Sequence, residues 1–402
     1  MKITLLTYGS RGDVAPFVSL AQGLINAGHK VCLAAPTVFD YLVDSSKIDF
    51  IGLPGEPQQL VQDFVDGAGK SRWRMILTMS KFVLPLAVRV IEQTRAACED
   101  ADLIIHSFLL TSTGYEIARE MGIPDISAQL FPVFSSTSEF PAPTFPDISF
   151  GGLYRRLTHD IVTQTFWQGS RLIYSWVRRN NSGLPPLSSW PFDARNEWQT
   201  PILYGFSSHV VPRPRDWRDE VHITGYWFSD NLGDWIPDKK LLDFINSGPT
   251  PISIAFGSIV TPNLGRIYEK VLEALSLSKQ RGIIIGTRNN FKNSSQSFFH
   301  SDYVPYGWLF KRSAAAIHHG GAGTTGKGLM AGVPNIVLPF TSDQPFWGRR
   351  VYALGAGPKP IPIKKLSANG LADAIISAMN DKDMRKRAKV ISEDIRREDG
   401  VS

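Results

Sequence analysis

The chain reads as an α/β protein built from two doubly wound domains, and three observations predict this. Short apolar runs alternate with longer runs of helical spacing. The alternation breaks off near residue 225 and restarts at residue 251. Each half carries a glycine-rich turn between a strand and a helix, Gly9-Ser10-Arg11-Gly12 in the first and Gly320-Gly321-Ala322-Gly323 in the second. The 402 residues suit two or three domains at roughly 150 residues each.

The first half predicts strands at Lys2–Tyr8, Lys30–Ala35, Ile48–Leu53, Leu103–His106 and Asp125–Leu130. Between them, Val14–Ala27 has apolar residues at helical spacing and stops at Gly28, and Thr113–Glu120 stops before Gly122. Such alternation gives a parallel sheet with helices on both faces, closed by right-handed crossovers into a Rossmann-like domain over 1–225. Residues 131–200 interrupt it. Phe131-Pro132, Phe140-Pro141-Ala142-Pro143 and Phe145-Pro146 read as loop, and Thr158–Arg179 as a long helix with aromatics on one side. This reads as an insertion that walls a pocket. Residues 226–250 hold Gly233, Pro237, Gly248 and Pro249 and read as a linker with one short helix.

The second domain, 251–402, repeats the pattern. Strands are expected at Pro251–Phe256, Gly282–Gly286, Ala314–His318 and Asn335–Pro339. Helices are expected at Gly265–Lys279, Thr325–Met330, Phe346–Leu354 and Leu366–Met379. Ligands commonly bind in the cleft between two such domains.

Composition narrows the function. A net charge of +6 suits an anionic partner, but no run of five basic residues forms a nucleic-acid arm. Two cysteines, Cys32 and Cys98, are too few for a disulfide framework or a zinc site, and fit a reducing compartment. The opening apolar run, Ile3 to Thr7, is too short for a signal peptide, and no stretch is long enough for a membrane span. A cytosolic protein, or one lying on a membrane that faces the cytosol, is expected. Arg72–Ala97 mixes basic and aromatic residues. It reads as a helix packed on its own domain, with an amphipathic membrane-surface helix as the second reading.

Three motifs carry chemistry. The first is Ala314 to Gly326, a strand, a glycine loop and a helix start. Glycines let the backbone approach an anion, and the first-turn amides and the helix dipole point at it. His319, Thr324 and Thr325 add donors. Phosphate binding is therefore expected over a mere tight turn, and the absence of Gly-Lys-Ser/Thr excludes a Walker loop. The second is Asp343-Gln344, one strand further on. A carboxylate beside an amide can bind several sugar hydroxyls, and a helix cap by Asp343 is the competing reading. The third is Gly9 to Val14, where Asp13 follows the first strand. A general base and a helix N-cap are equally compatible with it. His106 ends the fourth strand and reads as a hydrogen-bonded structural residue, with an acceptor-site role as the alternative.

Taken together, these motifs resemble the UDP-glycosyltransferase superfamily, most of all the sterol 3-beta-glucosyltransferases and related antibiotic glycosyltransferases. The resemblance spans nearly the whole chain. It includes Ile223 to Phe228, Phe256-Gly257-Ser258-Ile259, Val304-Pro305, Trp308-Leu309-Phe310, the spacing of His319 from Asp343-Gln344, and Glu398-Asp399-Gly400. It implies the GT-B fold, with the acceptor on the N-terminal domain and the donor on the C-terminal one. Asp13 then matches the base, and His319, Gly321, Gly323, Thr324 and Ser258 the diphosphate site. Tyr303 takes the place of an aromatic on the nucleotide base, Val304 offers its backbone to the base edge, and Asp343 and Gln344 match the sugar pair. Lys327 stands where plant relatives have an acidic ribose contact, so a dTDP donor competes with UDP. Relatives also continue beyond Gly400 with a further helix that packs back across the domains.

The function expected is inverting transfer of glucose from UDP-glucose to a sterol or similar lipophilic alcohol. No metal or other cofactor is expected, since the donor segments 314–326 and 339–345 carry no Asp-x-Asp motif. Ser10, His106, Phe131, Phe134 and Phe140 are the acceptor-side candidates, with Trp167 as a further aromatic of the insertion. The rivals are transfer to a polyketide, flavonoid or glycopeptide, an epimerase of the same fold, and a non-catalytic sugar-nucleotide or lipid-binding protein.

Overall fold

The structure is a computed structural model. It describes residues 1–56, 84–178, 190–192, 199–228, 235–257, 259, 263–286 and 297–402, with the backbone of 179–180. The chain divides into two compact units. One comprises Met1–Gly205, Arg213–Phe228 and Val401–Ser402, the other Phe206–Pro212 and Ser229–Gly400.

The first unit holds strands β1 (Lys2–Leu6), β2 (Lys30–Pro36), β3 (Asp49–Leu53), β4 (Leu103–His106), β5 (Asp125–Gln129), β6 (Ile202–Tyr204) and β7 (Val221–Ile223). They form one sheet in the order β3-β2-β1-β4-β5-β6-β7, with every neighbouring pair parallel. A parallel sheet must be covered on both faces, and successive side chains go to opposite sides. Ile3 and Leu5 pack with Val14, Phe17 and Leu20 of α1 (Arg11–Asn26). Leu6 and Ile104 pack with Val90 and Ala97 of α2 (Leu84–Ala97) and Ile117 of α3 (Thr111–Met121). Both cysteines are free and buried in that second cluster.

The long helix of the insertion, α4, covers Gly151–Asn180 and begins seven residues before the expected start. Leu153 and Leu157 belong to the added turns but are exposed, so the buried face starts only with Thr158 and His159. Strands β6 and β7 were not expected, being three residues each and too short to show a period. Of Arg72–Ala97, the part in α2 packs on its own unit through Val90, Thr94 and Ala97, and residues 72–83 lie outside the described residues. The expected linker also divides. Trp227 packs edge-on against Phe17 in the first unit, with ring centroids 5.7 Å apart. The short helix α5 (Lys239–Asn246) buries Leu241 in the second.

In the second unit, β8 (Ile252–Ala255), β9 (Gly282–Ile285), β10 (Phe298–Ser301), β11 (Ala316–His318) and β12 (Asn335–Val337) form a parallel sheet in the order β10-β9-β8-β11-β12. Its helices are α6 (Leu264–Leu277), α7 (Tyr306–Phe310), α8 (Ala322–Ala331), α9 (Gln344–Ala353), α10 (Ala368–Asn380) and α11 (Lys382–Arg397). Ile254, Ile317 and Ile336 pack against Val271, Leu275, Leu371 and Ile375 on one face, and Ala255, Ile283 and Ala316 against Leu309 and Phe310 on the other. The sequence reading missed β10, α7 and α11. Helix α11 is highly charged and buries only a narrow stripe that includes Met384, Ala388, Ile391 and Ile395.

Strand order reverses between β1 and β4 in the first sheet and between β8 and β11 in the second. Open α/β sheets bind ligands beyond the carboxyl ends of strands at such a switch point.

Asp216 ties the insertion to the first unit. Its carboxylate accepts from Thr137 Oγ1 (2.6 Å), Ser138 N (2.8 Å), Ser138 Oγ (2.9 Å) and Arg156 (2.8 Å) on α4. Burial opposes ionisation, but these four donors outweigh it and hold the carboxyl at about 2. A depressed carboxyl stabilises the fold above its unfolded value, and that stability is lost as pH falls through the folded value. Asp216→Asn should therefore cost about 1 kcal/mol at neutral pH. In denaturant melts, its deficit against the parent chain should shrink between pH 4 and pH 2.

Candidate functional site

In the second unit the glycine loop lies at the switch point, between β11 and α8. Gly321 is the N-cap of α8 in extended conformation, and no side chain caps the helix. Thr325 N bonds back to Gly321 O at 2.9 Å, so the amides of Ala322, Gly323 and Thr324 before it have no intrahelical acceptor. A Cβ at Gly323 would meet nothing within 4 Å. The protein itself has no steric need for glycine there, whereas an anion seated on the loop would.

His319 stands on this loop, half-buried as a whole residue. A Cβ on Gly257 would come within 2.9 Å of the ring, and one on Gly321 within 2.5 Å. Gly257, at φ +64°, also occupies the left-handed region that favours glycine. Burial lowers the imidazole to about 4, against a hydrogen bond to the Ala255 carbonyl, so it is neutral at pH 7. Its Nδ1 is buried and has no hydrogen-bond partner. A neutral imidazole carries one N–H, and a phosphate oxygen seated on the loop would accept from it where that nitrogen reaches the surface. Thr324 is half-buried, whereas Thr325 is fully buried and its hydroxyl is enclosed without a hydrogen-bond partner.

Asp343 and Gln344 follow β12 at the start of α9. Asp343 occupies the N-cap position, but its side chain caps nothing. Its Oδ2 instead accepts from Trp347 Nε1 at 2.7 Å. Gln344 Oε1 accepts from Phe340 N (2.8 Å) and Thr341 N (3.2 Å), which orients its NH₂ as the outward donor. Ser342, beside them, has φ +60° without being glycine. Such strain persists only where the surroundings enforce it, and it clusters at ligand sites. Tyr303 follows β10 and is 48% exposed, as a ring offered to a ligand would be. Val304 next to it buries its side chain among Leu309 and Phe310. Ser258 lies outside the described residues. Because the strands are parallel, all the described donor-side residues lie at the carboxyl edge of one sheet.

In the first unit, Asp13 stands at the carboxyl end of β1. The helix starts at Arg11 rather than Val14, so Ser10 is the N-cap and Asp13, the third helical residue, completes a capping box: Asp13 Oδ2 accepts from Ser10 N (2.7 Å) and Ser10 Oγ (2.8 Å), and Ser10 Oγ accepts from Gly12 N. Gly9, at φ +147°, leaves room for this carboxylate, since a Cβ there would lie 2.5 Å from Asp13 Oδ2. Burial raises the carboxyl above its ordinary value, more than the Ser10 hydrogen bonds lower it. Capping and proton abstraction are compatible, because one oxygen is held while the group as a whole becomes more basic.

The acceptor-side candidates separate. His106 is wholly buried, 2.9 Å from Asp125 Oδ2, which also accepts from Thr200 Oγ1. It is a buried structural residue and lines no open surface. Phe134 is also buried, at the hub of a cluster with Phe108, Phe166, Trp190 and Phe192. Phe131 packs on Phe108 and is half-buried. Phe140 belongs to another group, with His159 and Trp217, and Trp167 packs on Trp190. Sequence reasoning missed Phe108, which lies two residues past the end of β4 and packs on Phe131, Phe134 and Phe166 of the insertion. Its position just beyond a strand's carboxyl end was the available signal.

Comparison with known proteins agrees with this architecture. A family model described as the glycosyltransferase family 28 N-terminal domain matches residues 3–109. One described as the erythromycin biosynthesis protein CIII-like C-terminal domain matches residues 283–399. The sterol 3-beta-glucosyltransferase UGT80A2 of Arabidopsis thaliana is 33% identical over 418 residues, covering 100% of this chain and 64% of that protein. A sterol 3-beta-glucosyltransferase of Cryptococcus neoformans is 35% identical over 430 residues, covering 100% of this chain and 26% of its own length. The chain thus spans well under the whole of either relative. Among solved structures, the glycotransferase of kitacinnamycin and the calicheamicin glycosyltransferase CalG4 both superpose with TM-score 0.69, at 20% and 15% identity. Each match covers 98% of this chain and 94% of the other.

The chain has the GT-B fold, with a glycosyltransferase family 28 N-terminal model matching its first unit and an erythromycin biosynthesis protein CIII-like C-terminal model its second. Over its full length it is similar to the sterol 3-beta-glucosyltransferases.

If the two glycines hold the His319 ring in place, Gly321→Ala should displace it. The backbone at Gly321 (φ −62°, ψ 147°) accepts alanine, so thermal stability should change by less than about 1 kcal/mol. The imidazole resonances of His319 should nevertheless shift, and an unshifted ring would show that the contact does not constrain it.

Proposed function

We propose that this chain is an inverting glycosyltransferase that moves glucose from UDP-glucose to the hydroxyl of a sterol or similar lipophilic alcohol. The observation that carries the reading is the uncapped first turn of α8 with His319 packed beside it. A nucleoside diphosphate is the ligand whose charge distribution fits this feature, and Tyr303 supplies an exposed ring at the same sheet edge.

The residues then divide the work. Asp13 takes the proton from the acceptor hydroxyl as its oxygen attacks the anomeric carbon. Its Ser10 hydrogen bonds fix the carboxylate, and its raised basicity favours the transfer. The nucleoside diphosphate departs from the opposite face, which inverts the configuration. Negative charge growing on the leaving group meets the amides of Ala322, Gly323 and Thr324 and the ring of His319. Asp343 and Gln344 NH₂ bind sugar hydroxyls. No metal is needed to balance this charge. For the acceptor, the half-buried Phe131 and Phe108 offer flat apolar surface beside the carboxyl end of β4, and the sterol glucosyltransferase relatives support a sterol. Peripheral contact with a membrane would bring the enzyme to such an acceptor. A second reading keeps the transfer with a dTDP donor or a polyketide acceptor. It is favoured by Lys327, which stands on α8 in place of an acidic ribose contact.

Purified protein should release UDP from UDP-glucose faster when sterol is supplied in detergent micelles. Asp13→Asn keeps an acceptor for Ser10 N and should melt within about 1 kcal/mol of the parent chain. Its turnover should fall about 10²–10⁴-fold, with UDP affinity unchanged. Undiminished turnover in Asp13→Asn would remove Asp13 as the base, and sterol-independent release would remove the sterol.

A further inference from the structure

His318 ends β11, one residue before the ring assigned to the diphosphate, and is wholly buried. Its hydrogen bonds define its tautomer. Asn335 Nδ2 donates to Val333 O at 2.7 Å, which leaves Asn335 Oδ1 facing His318 Nε2 at 2.9 Å. Two acceptors cannot face each other, so Nε2 carries the hydrogen. His318 Nδ1 therefore keeps its lone pair, and Gly320 N donates to it at 3.1 Å.

The surroundings protect this chain of bonds. A Cβ on Gly328 of α8 would lie 1.9 Å from Asn335 Oδ1, so glycine at that position makes room for the amide. Gly320 itself sits at φ +87°, and a Cβ there would meet Val337 Cγ1 at 2.6 Å and Gln344 O at 3.0 Å. Its amide points inward to His318, and the chain then turns so that Gly321 opens α8. Burial lowers the His318 imidazole to about 3, aided by the neighbouring His319, so it remains neutral and Nδ1 remains an acceptor.

We propose that His318 and Asn335 are positioning residues for the phosphate loop: by holding the Gly320 amide inward, they set the direction in which the amides of residues 322–324 point. Neither residue touches the donor. The inference rests on the reading of this loop as the diphosphate site.

Two substitutions separate positioning from bulk stability. In His318→Asn the side-chain oxygen reaches the place of Nδ1 and can accept from Gly320 N, but it cannot reach Asn335. In His318→Gln the amide nitrogen reaches the place of Nε2 and keeps Asn335, but Gly320 N loses its acceptor. Both should lower the melting temperature to a similar degree. UDP affinity measured by calorimetry should fall about tenfold in His318→Gln and within about threefold in His318→Asn. The Gly320 amide should lose its hydrogen-bonded shift and its exchange protection in His318→Gln alone. Asn335→Ala, which spares β11, is the companion should either variant fail to fold, and it should weaken UDP several-fold. Equal UDP affinity in the two His318 variants, with the Gly320 amide unchanged, would overturn the positioning role. Failure of the unmodified chain to bind UDP would instead remove the donor-site reading, with the Gly320 amide still reporting on the geometry.

Discussion

Three backbone amides at the start of α8 have no intrahelical acceptor, and the sequence around them keeps them uncapped. A helix of this kind ordinarily recruits Ser, Thr, Asp or Asn to its N-cap, which is worth about a few tenths of a kcal/mol over glycine. Here Gly321 occupies that position and forgoes the contribution. The neighbouring residues are arranged to suit: glycines at 257 and 321 admit the His319 ring, and Gly320 folds its own amide away. Stability is given up locally where a ligand is expected to restore it.

The first unit shows the opposite treatment of the same geometry. At the start of α1 the cap is complete, with Ser10 and Asp13 bonded reciprocally. The group that closes this helix start is also the carboxylate that chemistry would require. A side chain in both roles has its orientation fixed by the fold, and partial burial raises its basicity. The two units share the strand order 3-2-1-4-5, and each has a loop at the switch point, after the first strand of one sheet and after the fourth of the other. One loop leaves backbone donors open at its helix start, and the other closes its helix start with a carboxylate.

Most of the sheet architecture was legible in the sequence because buried parallel strands are short apolar runs bounded by turn residues. The glycine loop and its helix were legible for the same reason. What escaped were elements without a period: β6 and β7 at three residues each, the half-buried edge strand β10, and α11, whose charge hides a narrow apolar stripe. In the site, residue type told which groups could act, but direction needed three dimensions. His106 and Phe134 look alike in sequence to residues lining an open surface, yet both turn inward. Gln344 could not be seen to use its oxygen on the Phe340 and Thr341 amides, nor Asp343 to use Oδ2 on Trp347. His318 was overshadowed by its neighbour, since a pair of histidines does not reveal which one faces the ligand.

The start of α8, as an anion site made by the backbone, can be examined in a crystal structure of the chain with UDP. Phosphate oxygens are expected within hydrogen-bond distance of the amides of residues 322–324 and of the His319 ring, with the nucleotide base near Tyr303. A diphosphate bound elsewhere, with those amides facing only water, would rule the site out.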